Sequence, residues 1–138
     1  IKVVASDVIH SQLADVFAPC ALGNDVTKEN INEIHARIVC GGANNQLASS
    51  EIGDELFKRR ILYVPDYVAN AGGLINVVDE LEPGGYKRER VFHRIDPLKN
   101  TLATIFLLGR QRNRSLVRIA DELAEEIFEN GKTGQSVL

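Results

Sequence analysis

Short apolar runs alternate with segments of helical periodicity in the first half of the chain. Four runs rich in β-branched residues are bounded by turn residues: IKVV (1–4), DVFAP (15–19), RIVCGG (37–42) and ILYVP (61–65). Such runs are typical of strands that are buried on both faces of a parallel sheet. Two segments between them, residues 26–36 and 49–60, place apolar residues at helical spacing. The pattern therefore predicts an α/β fold in which right-handed crossovers join parallel strands.

The second half of the chain has a helical pattern. Residues 74–81 predict a helix, and the Pro-Gly-Gly at 83–85 ends it. A long amphipathic helix is predicted next from apolar residues spaced three and four apart, namely Val91, Ile95, Leu98, Leu102 and Ile105. Pro97 falls inside this pattern, so we expect a kink or a restart there, with Asp96 capping the second piece.

A last helix is predicted after Ser115, which is placed to cap it. Its apolar positions are Leu116, Ile119, Leu123 and Ile127, and its acidic residues are expected to form a solvated outer face. The final eight residues, 131–138, are predicted to fray.

Composition and charge narrow the class of protein. The chain has 138 residues, a formal net charge of −3 and 44% hydrophobic residues, which fit one domain with a core. No overall basic field recruits nucleic acid or an anionic membrane. No apolar run approaches the ~20 residues of a membrane span. Cys20 and Cys40 form neither a CxxC pair nor a metal-ligand spacing with the three histidines, so we expect reduced thiols, no metal and a cytoplasmic protein.

Three clusters of small and amide residues follow three predicted strands. They are APCALG (18–23), GGANNQL (41–47) and PDYVANAGG (65–73). Ligands of parallel sheets bind at the carboxyl ends of the strands, and glycine lets a backbone or a flat ring approach closely. Asparagine suits a carboxamide, a ribose hydroxyl or a carboxylate better than a metal. Two structural alternatives remain, because Gly41-Gly42 could be turn glycines and Gly72-Gly73 could relieve crowding between a helix and the sheet.

The same stretches resemble a known family. DVFAPCALG, GGANNQL, ILYVPDYVANAGGLINV and DEL stand in the order and spacing of the C-terminal part of the leucine, valine and phenylalanine dehydrogenases, members of the glutamate dehydrogenase superfamily. Leucine or valine dehydrogenase looks most similar. The resemblance implies NAD-dependent oxidative deamination of an L-amino acid to its 2-oxo acid, and a cytoplasmic homo-oligomer whose ligands are small molecules.

The resemblance also implies a domain organisation. Residues 1–81 would form part of an NAD-binding domain, the second half of a Rossmann-type doubly wound parallel sheet whose first two strands are absent. Residues 82–138 would form long C-terminal helices that pack on this domain and return to the cleft. No Gly-x-Gly-x-x-Gly turn occurs in the sequence, and the chain opens on Ile1 rather than Met, so we expect a fragment. NADP stays open beside NAD, because the family's discriminating residue follows the missing second strand.

Site residues follow from the resemblance position by position. The residues that would line the cofactor are Ala18, Pro19, Cys20, Ala21, Asn45, Asn70 and Gly72. The residues that would contact the substrate are Asn45, Leu74 and Val77. The family's catalytic lysine and aspartate belong to an N-terminal domain, so no catalytic residue is assigned in this chain. Leu74 and Val77 stand three apart on one helical face, and an apolar pair favours a branched aliphatic amino acid over glutamate.

Two hypotheses remain. The chain is either a fragment of such a dehydrogenase, inactive by itself, or a short non-catalytic paralogue that acts as a binding or oligomerisation module. In the strand order 3-2-1-4-5-6, loss of two strands would orphan residues 1–4 and leave residues 15–19 as an open apolar edge. Such an edge invites pairing with another chain.

Overall fold

A three-stranded parallel sheet lies at the centre of the fold. The computed structural model describes residues 1–133, and in this part the sheet contains β1 (Val16–Phe17), β2 (Ile38–Val39) and β3 (Leu62–Tyr63). The strand order is β1-β2-β3, with Val16 opposite Ile38 and Ile38 opposite Leu62. The predicted parallel α/β class and three of the four predicted strands are therefore confirmed. The assignment to a Rossmann-type sheet stays a prediction.

The strand predicted at residues 1–4 is wrong. These residues have no regular secondary structure, Val3 is exposed, and a 3-10 helix follows at Ser6–Ser11. A strand is stable only when a neighbour completes its hydrogen-bond ladder. Within residues 1–133 no strand pairs with residues 1–4, and β1 pairs with β2 alone. The free side of β1 leaves Val16 46% exposed, in agreement with the predicted open edge.

The helix predicted over residues 26–36 is also wrong. It is reduced to one 3-10 turn at Ile31–Glu33. The Thr27 backbone N–H donates to Asn30 Oδ1 over 2.9 Å, and Asn30 Nδ2 donates to a backbone carbonyl, that of Asp25, over 2.8 Å. Such local bonds from threonine and asparagine compete with helical bonding. Ile31 is still buried. The apolar spacing therefore predicted the burial of this residue correctly but not its backbone conformation.

Within residues 1–133, six α-helices follow the strands or connect them. They are α1 (Ser50–Lys58), α2 (Asp66–Ala69), α3 (Ala71–Asp79), α4 (Arg88–Ile95), α5 (Leu98–Arg112) and α6 (Leu116–Thr133). The predicted restart at Pro97 is confirmed, since α4 ends before it and α5 begins directly after it. Asp96 does not cap α5, because its own backbone is helical and Pro97 occupies the capping position. The Ser115 hydroxyl donates to the Asp54 carboxylate of α1.

Two apolar clusters hold these elements together. The first joins the sheet to α1 and includes Val39, Leu56 and Val117. The second joins α2, α5 and α6 through a set of buried residues, namely Val68, Ile105, Leu116, Ile119 and Ala120. Helix α6 contributes to both clusters and so fixes the helical half against the sheet. No helix in the described residues is long and apolar enough to cross a membrane. Of the predicted frayed tail, residues 131–133 belong to α6 instead, and residues 134–138 lie outside the described residues.

Candidate functional site

The loop after β1 rests directly on the loop after β2. A Cβ atom built on Gly41 would lie 1.9 Å from the carbonyl oxygen of Pro19 and 2.5 Å from its nitrogen. The same carbonyl accepts a hydrogen bond from the Ala43 backbone N–H over 3.0 Å. Only glycine fits at position 41, because any side chain would collide with the backbone of the neighbouring loop. Gly41 thus has a structural role, as the alternative interpretation of the turn glycines allowed.

The loop after β2 is bonded in turn to the segment after β3. Asn70 Nδ2 donates to Asn44 Oδ1 over 2.6 Å, and the Asn45 backbone N–H donates to the Asp66 carboxylate. Asn45 has a left-handed backbone with φ of 52°, which asparagine tolerates better than most residues. Its side chain is exposed and makes no hydrogen bond within the described residues. The three strand-end clusters therefore meet at one edge of the sheet, with the Asn45 amide available to a ligand.

Gln46 stabilises the same loop from inside and was not singled out by the sequence. It is fully buried, and its Nε2 donates to the carbonyls of Gly41 and Ala43 over 2.7 and 2.9 Å. Its Oε1 is buried and accepts no hydrogen bond from the described residues. An unpartnered buried acceptor is costly, so this atom reduces the stability that the other two hydrogen bonds of Gln46 provide. A glutamine next to a predicted strand end carries no periodic signal, which is why it was missed.

Helix α3 presents an uncovered surface beside these loops. A Cβ on Gly72 would meet only Ile95 Cδ1, at 3.8 Å, and one on Gly73 would meet nothing within 4 Å. The glycines therefore relieve no crowding between the helix and the sheet. Leu74 is 69% exposed and Val77 is 58% exposed. The first turn of α3 and the face that carries Leu74 and Val77 are therefore open to solvent.

An ion pair within the hairpin of α3 and α4 holds α3 in place. The Asp79 side chain is fully buried, and Arg90 contacts it through Nε at 2.5 Å and through a second nitrogen at 2.9 Å. The Lys87 backbone N–H donates to the same carboxylate over 2.7 Å. The Arg90 guanidinium and this N–H hold the pKa of Asp79 below its ordinary value. The sequence does contain a signal for this pair, because Asp79 is a carboxylate within an otherwise apolar helical pattern.

The remaining predicted site residues lie on the loop after β1. Pro19 is buried, while Ala18, Cys20 and Ala21 are exposed. Cys20 Sγ accepts a hydrogen bond from the Gly42 backbone N–H over 3.3 Å, a further bond between the first two loops. Burial, followed by the nearby Cys20 thiol, raises the pKa of Cys40, which keeps that thiol protonated. The arrangement offers amides, backbone groups and open glycines, so it is equipped to bind and orient a ligand.

Comparison with known proteins identifies the family. The sequence profile of the Glutamate/Leucine/Phenylalanine/Valine dehydrogenases matches residues 1–96. The chain belongs to this family. The predicted resemblance is confirmed, and residues 18–23, 41–47 and 65–73, which carried it, all lie inside the matched segment. The three strand-end loops that meet in the fold thus all belong to the segment that matches the family.

Individual relatives agree with that assignment. The chain is 40% identical to the leucine dehydrogenase of Bacillus cereus over 133 residues, which are 96% of this chain and 36% of that protein. It is 41% identical to the phenylalanine dehydrogenase of Caldalkalibacillus thermarum over 126 residues, 91% of this chain and 34% of that protein. The crystal structure of L-tryptophan dehydrogenase from Nostoc punctiforme matches with a TM-score of 0.80 and 40% identity, covering 90% of this chain and 37% of that one. The chain spans about a third of the length of the relatives it matches.

Proposed function

We propose that this chain forms the nicotinamide-side wall of the active-site cleft in an NAD-dependent amino-acid dehydrogenase. The substrate we assign is a branched-chain L-amino acid, which is deaminated oxidatively to its 2-oxo acid. The observation that carries the proposal is the junction of three strand-end loops beside the open glycine turn of α3. The relatives' names support the reaction class, since leucine and phenylalanine dehydrogenases match over most of this chain.

The residues at this edge fit a nicotinamide group. Gly73 leaves space that a Cβ would fill, and Asn45 has an amide side chain without a partner in the described residues. A flat ring can lie against bare backbone, and an amide can both donate to and accept from a carboxamide or a ribose hydroxyl. A nicotinamide ring held there would supply the acceptor for the hydride that leaves the substrate Cα. These residues contain no Gly-x-Gly-x-x-Gly turn, so we assign no part of the pyrophosphate site to them.

This chain's own contribution to the reaction is orientation and exclusion of water. Asn45, Asn70 and the backbone of the loop after β1 would hold the nicotinamide ring. Leu74 and Val77 form an apolar wall for the substrate side chain, which favours an aliphatic group. Correct placement of reacting groups contributes a large part of enzymatic rate enhancement, and an error of about 1 Å costs about 100-fold. The residue that accepts the substrate proton is not assigned to this chain.

A chimeric enzyme tests the reaction. This chain replaces its matching segment in the Bacillus cereus leucine dehydrogenase, and NADH formation is followed with L-leucine, L-valine and L-phenylalanine. We expect activity that is highest with a branched-chain substrate, and a fall in kcat/KM of about 100-fold for Asn70→Ala. Asn100→Ala, an exposed asparagine on α5, is the matched control and should keep full activity. A chimera that folds but produces no NADH contradicts the proposal.

A second experiment uses the 138-residue chain directly. We expect no leucine-dependent NADH formation from it, but weak binding of reduced nicotinamide mononucleotide, which carries only the nicotinamide half of the cofactor. In a titration followed by NMR, the backbone amides of residues 18, 20–21, 44–46 and 70–73 should shift first. Shifts confined to other surfaces would contradict the assigned location, whether or not the chimera is active.

The open edge of β1 favours one alternative, a binding or oligomerisation module. Val16 is half-exposed, and β1 has a single partner strand in the described sheet. An unpaired edge can add a strand from another chain. Sedimentation of the wild-type chain and of Val16→Lys distinguishes this alternative, since only edge pairing predicts an oligomer that the lysine dissociates. The resemblance also leads us to propose a homo-oligomeric intact enzyme.

A further inference from the structure

A cavity lies along β3, away from the strand-end loops. It has a volume of about 600 Å³ and is bounded by residues 57–63 on one side and by residues 106–117 on the other. Cavities that hold small molecules commonly measure about 300–1,000 Å³. None of the residues assigned to the nicotinamide or substrate site lines this cavity. We refer to it as the β3 groove.

Apolar side chains form most of the β3 groove. Phe57, Leu62 and Phe106 line it and are each more than one third exposed, although all three are large hydrophobic residues. Leu116 and Val117 of α6 close its base. The two helical glycines at the groove, Gly53 and Gly109, are required by close packing of α6, because their Cβ atoms would clash with Val117 and Leu116. The groove is therefore a rigid apolar surface between packed helices.

The charged residues at the β3 groove are all cations. Lys58, Arg60, Arg110 and Arg114 line it, and no carboxylate of residues 1–133 does, although the chain as a whole has a net charge of −3. Lys58 pairs with Glu55, and Arg114 pairs with Glu122. Arg60 and Arg110 form no ion pair among the described residues. Two uncompensated guanidinium groups thus stand at the rim of an apolar groove in an acidic protein.

We infer that the β3 groove binds an amphipathic carboxylate, a fatty-acid-type anion with an aliphatic tail. The tail would lie against Phe57, Leu62 and Phe106, and the carboxylate would accept hydrogen bonds from Arg60 and Arg110. Guanidinium groups match a carboxylate in charge and in geometry. A neutral apolar ligand would leave the arginines unexplained, and a small inorganic anion would leave the apolar surface unexplained.

Binding of decanoate to the 15N-labelled 138-residue chain tests the inference by NMR. We expect saturable shifts of the amides of residues 57–63 and 106–117. Decanol has the same tail without the charge, acetate has the charge without the tail, and decyltrimethylammonium reverses the charge. Each of these should bind at least about tenfold more weakly than decanoate, since a charge-assisted bond and tail burial each contribute about a factor of ten. Equal binding of decanoate and decanol would overturn the inference.

Arginine variants test the location. Arg110→Gln and Arg60→Gln should each weaken decanoate binding about tenfold. Arg37→Gln is the matched control, since Arg37 is exposed just before β2 and does not line the groove. Thermal melting should be the same for all three variants, as the replaced side chains are exposed. Equal decanoate affinity in Arg110→Gln and Arg37→Gln, or shifts centred on α3 and its exposed Leu74, would overturn the inference.

Discussion

Two glycine positions near the candidate site differ in what surrounds them. At Gly41 a Cβ would collide with the Pro19 backbone, whereas at Gly73 it would meet nothing within 4 Å. The fold explains the first glycine completely, because two loops touch there. It does not explain the second, which lies in the first turn of a helix where alanine would be more stable. A glycine that the chain's own packing does not require is better evidence for an external ligand than one that it does.

The largest effect is expected from Gly41→Ala. The new methyl group would force the loops after β1 and β2 apart, and overpacking of this kind costs about 3 kcal/mol. Urea denaturation measures the free energy of unfolding. Gly42→Ala is the matched control, because its Cβ would meet only Cys20 Sγ at 3.8 Å, an ordinary contact. An equal loss of unfolding free energy in the two variants would show that the close contact at Gly41 does not cause the destabilisation.

The next largest effect is expected at the ion pair that holds α3, the helix that carries Gly73. Asp79→Asn should lower the melting temperature at about pH 7, because Arg90 loses its buried counter-charge. The pKa of Asp79 is depressed in the folded state, so its contribution is complete above the ordinary value of 3.8 and is lost as the pH falls through the lower folded value. The wild-type and variant melting temperatures should therefore converge in acid.

Glu80→Gln provides the control for that experiment. Glu80 is the exposed neighbour of Asp79, so its variant should melt like the wild type throughout. A difference between Asp79→Asn and wild type that is independent of pH would mean that shape, and not charge, holds the hairpin of α3 and α4.

Gly73→Ala should have a smaller effect and the opposite sign. Alanine in a helix is favoured over glycine by up to about 1 kcal/mol, and there is open space for its methyl group. The variant should therefore unfold at higher urea concentration, yet bind nicotinamide mononucleotide more weakly. Gly85→Ala is the contrast, because Gly85 also has open space but a φ of 72°, where alanine is strained. A destabilised Gly73→Ala would remove the distinction between the two glycine positions.

The smallest effect on stability is expected from Leu74→Ser. The side chain is mostly exposed, so the free energy of unfolding should change by less than about 0.5 kcal/mol. In the chimeric dehydrogenase the same change should lower kcat/KM for L-leucine about tenfold, since the substrate loses an apolar contact. Unchanged kinetics would show that this face of α3 does not contact the substrate.

Local patterns predicted much of this fold. β-Branched runs marked β1, β2 and β3, and Pro97 marked the boundary between α4 and α5, because each signal acts on the residues that carry it. Residues 1–4 had the same signal but are not a strand, since strand formation also requires a partner. Residues 26–36 had helical spacing, but Thr27 and Asn30 bond to nearby backbone groups instead.

The sequence predicted the location of the candidate site better than the contacts within it. Glycines and asparagines after successive strands indicated where the loops would meet. The contacts that fix these loops join residues far apart in sequence, namely Asn45 to Asp66 and Asn70 to Asn44. No single-sequence pattern encodes such pairs, because each partner alone looks like an ordinary surface residue. The orphaned acceptor of Gln46 was invisible for the same reason.

The parallel register of the sheet has a consequence for the order of folding. Val16, Ile38 and Leu62 pair across separations of roughly twenty residues, so each strand pair must close a long loop before it gains any contact. The hairpin of α3 and α4 joins residues that are close in sequence and can form early. The loops after β1, β2 and β3 can complete their mutual hydrogen bonds only when these strand pairs have formed. We therefore expect the candidate site to assemble late during folding, after the hairpin of α3 and α4.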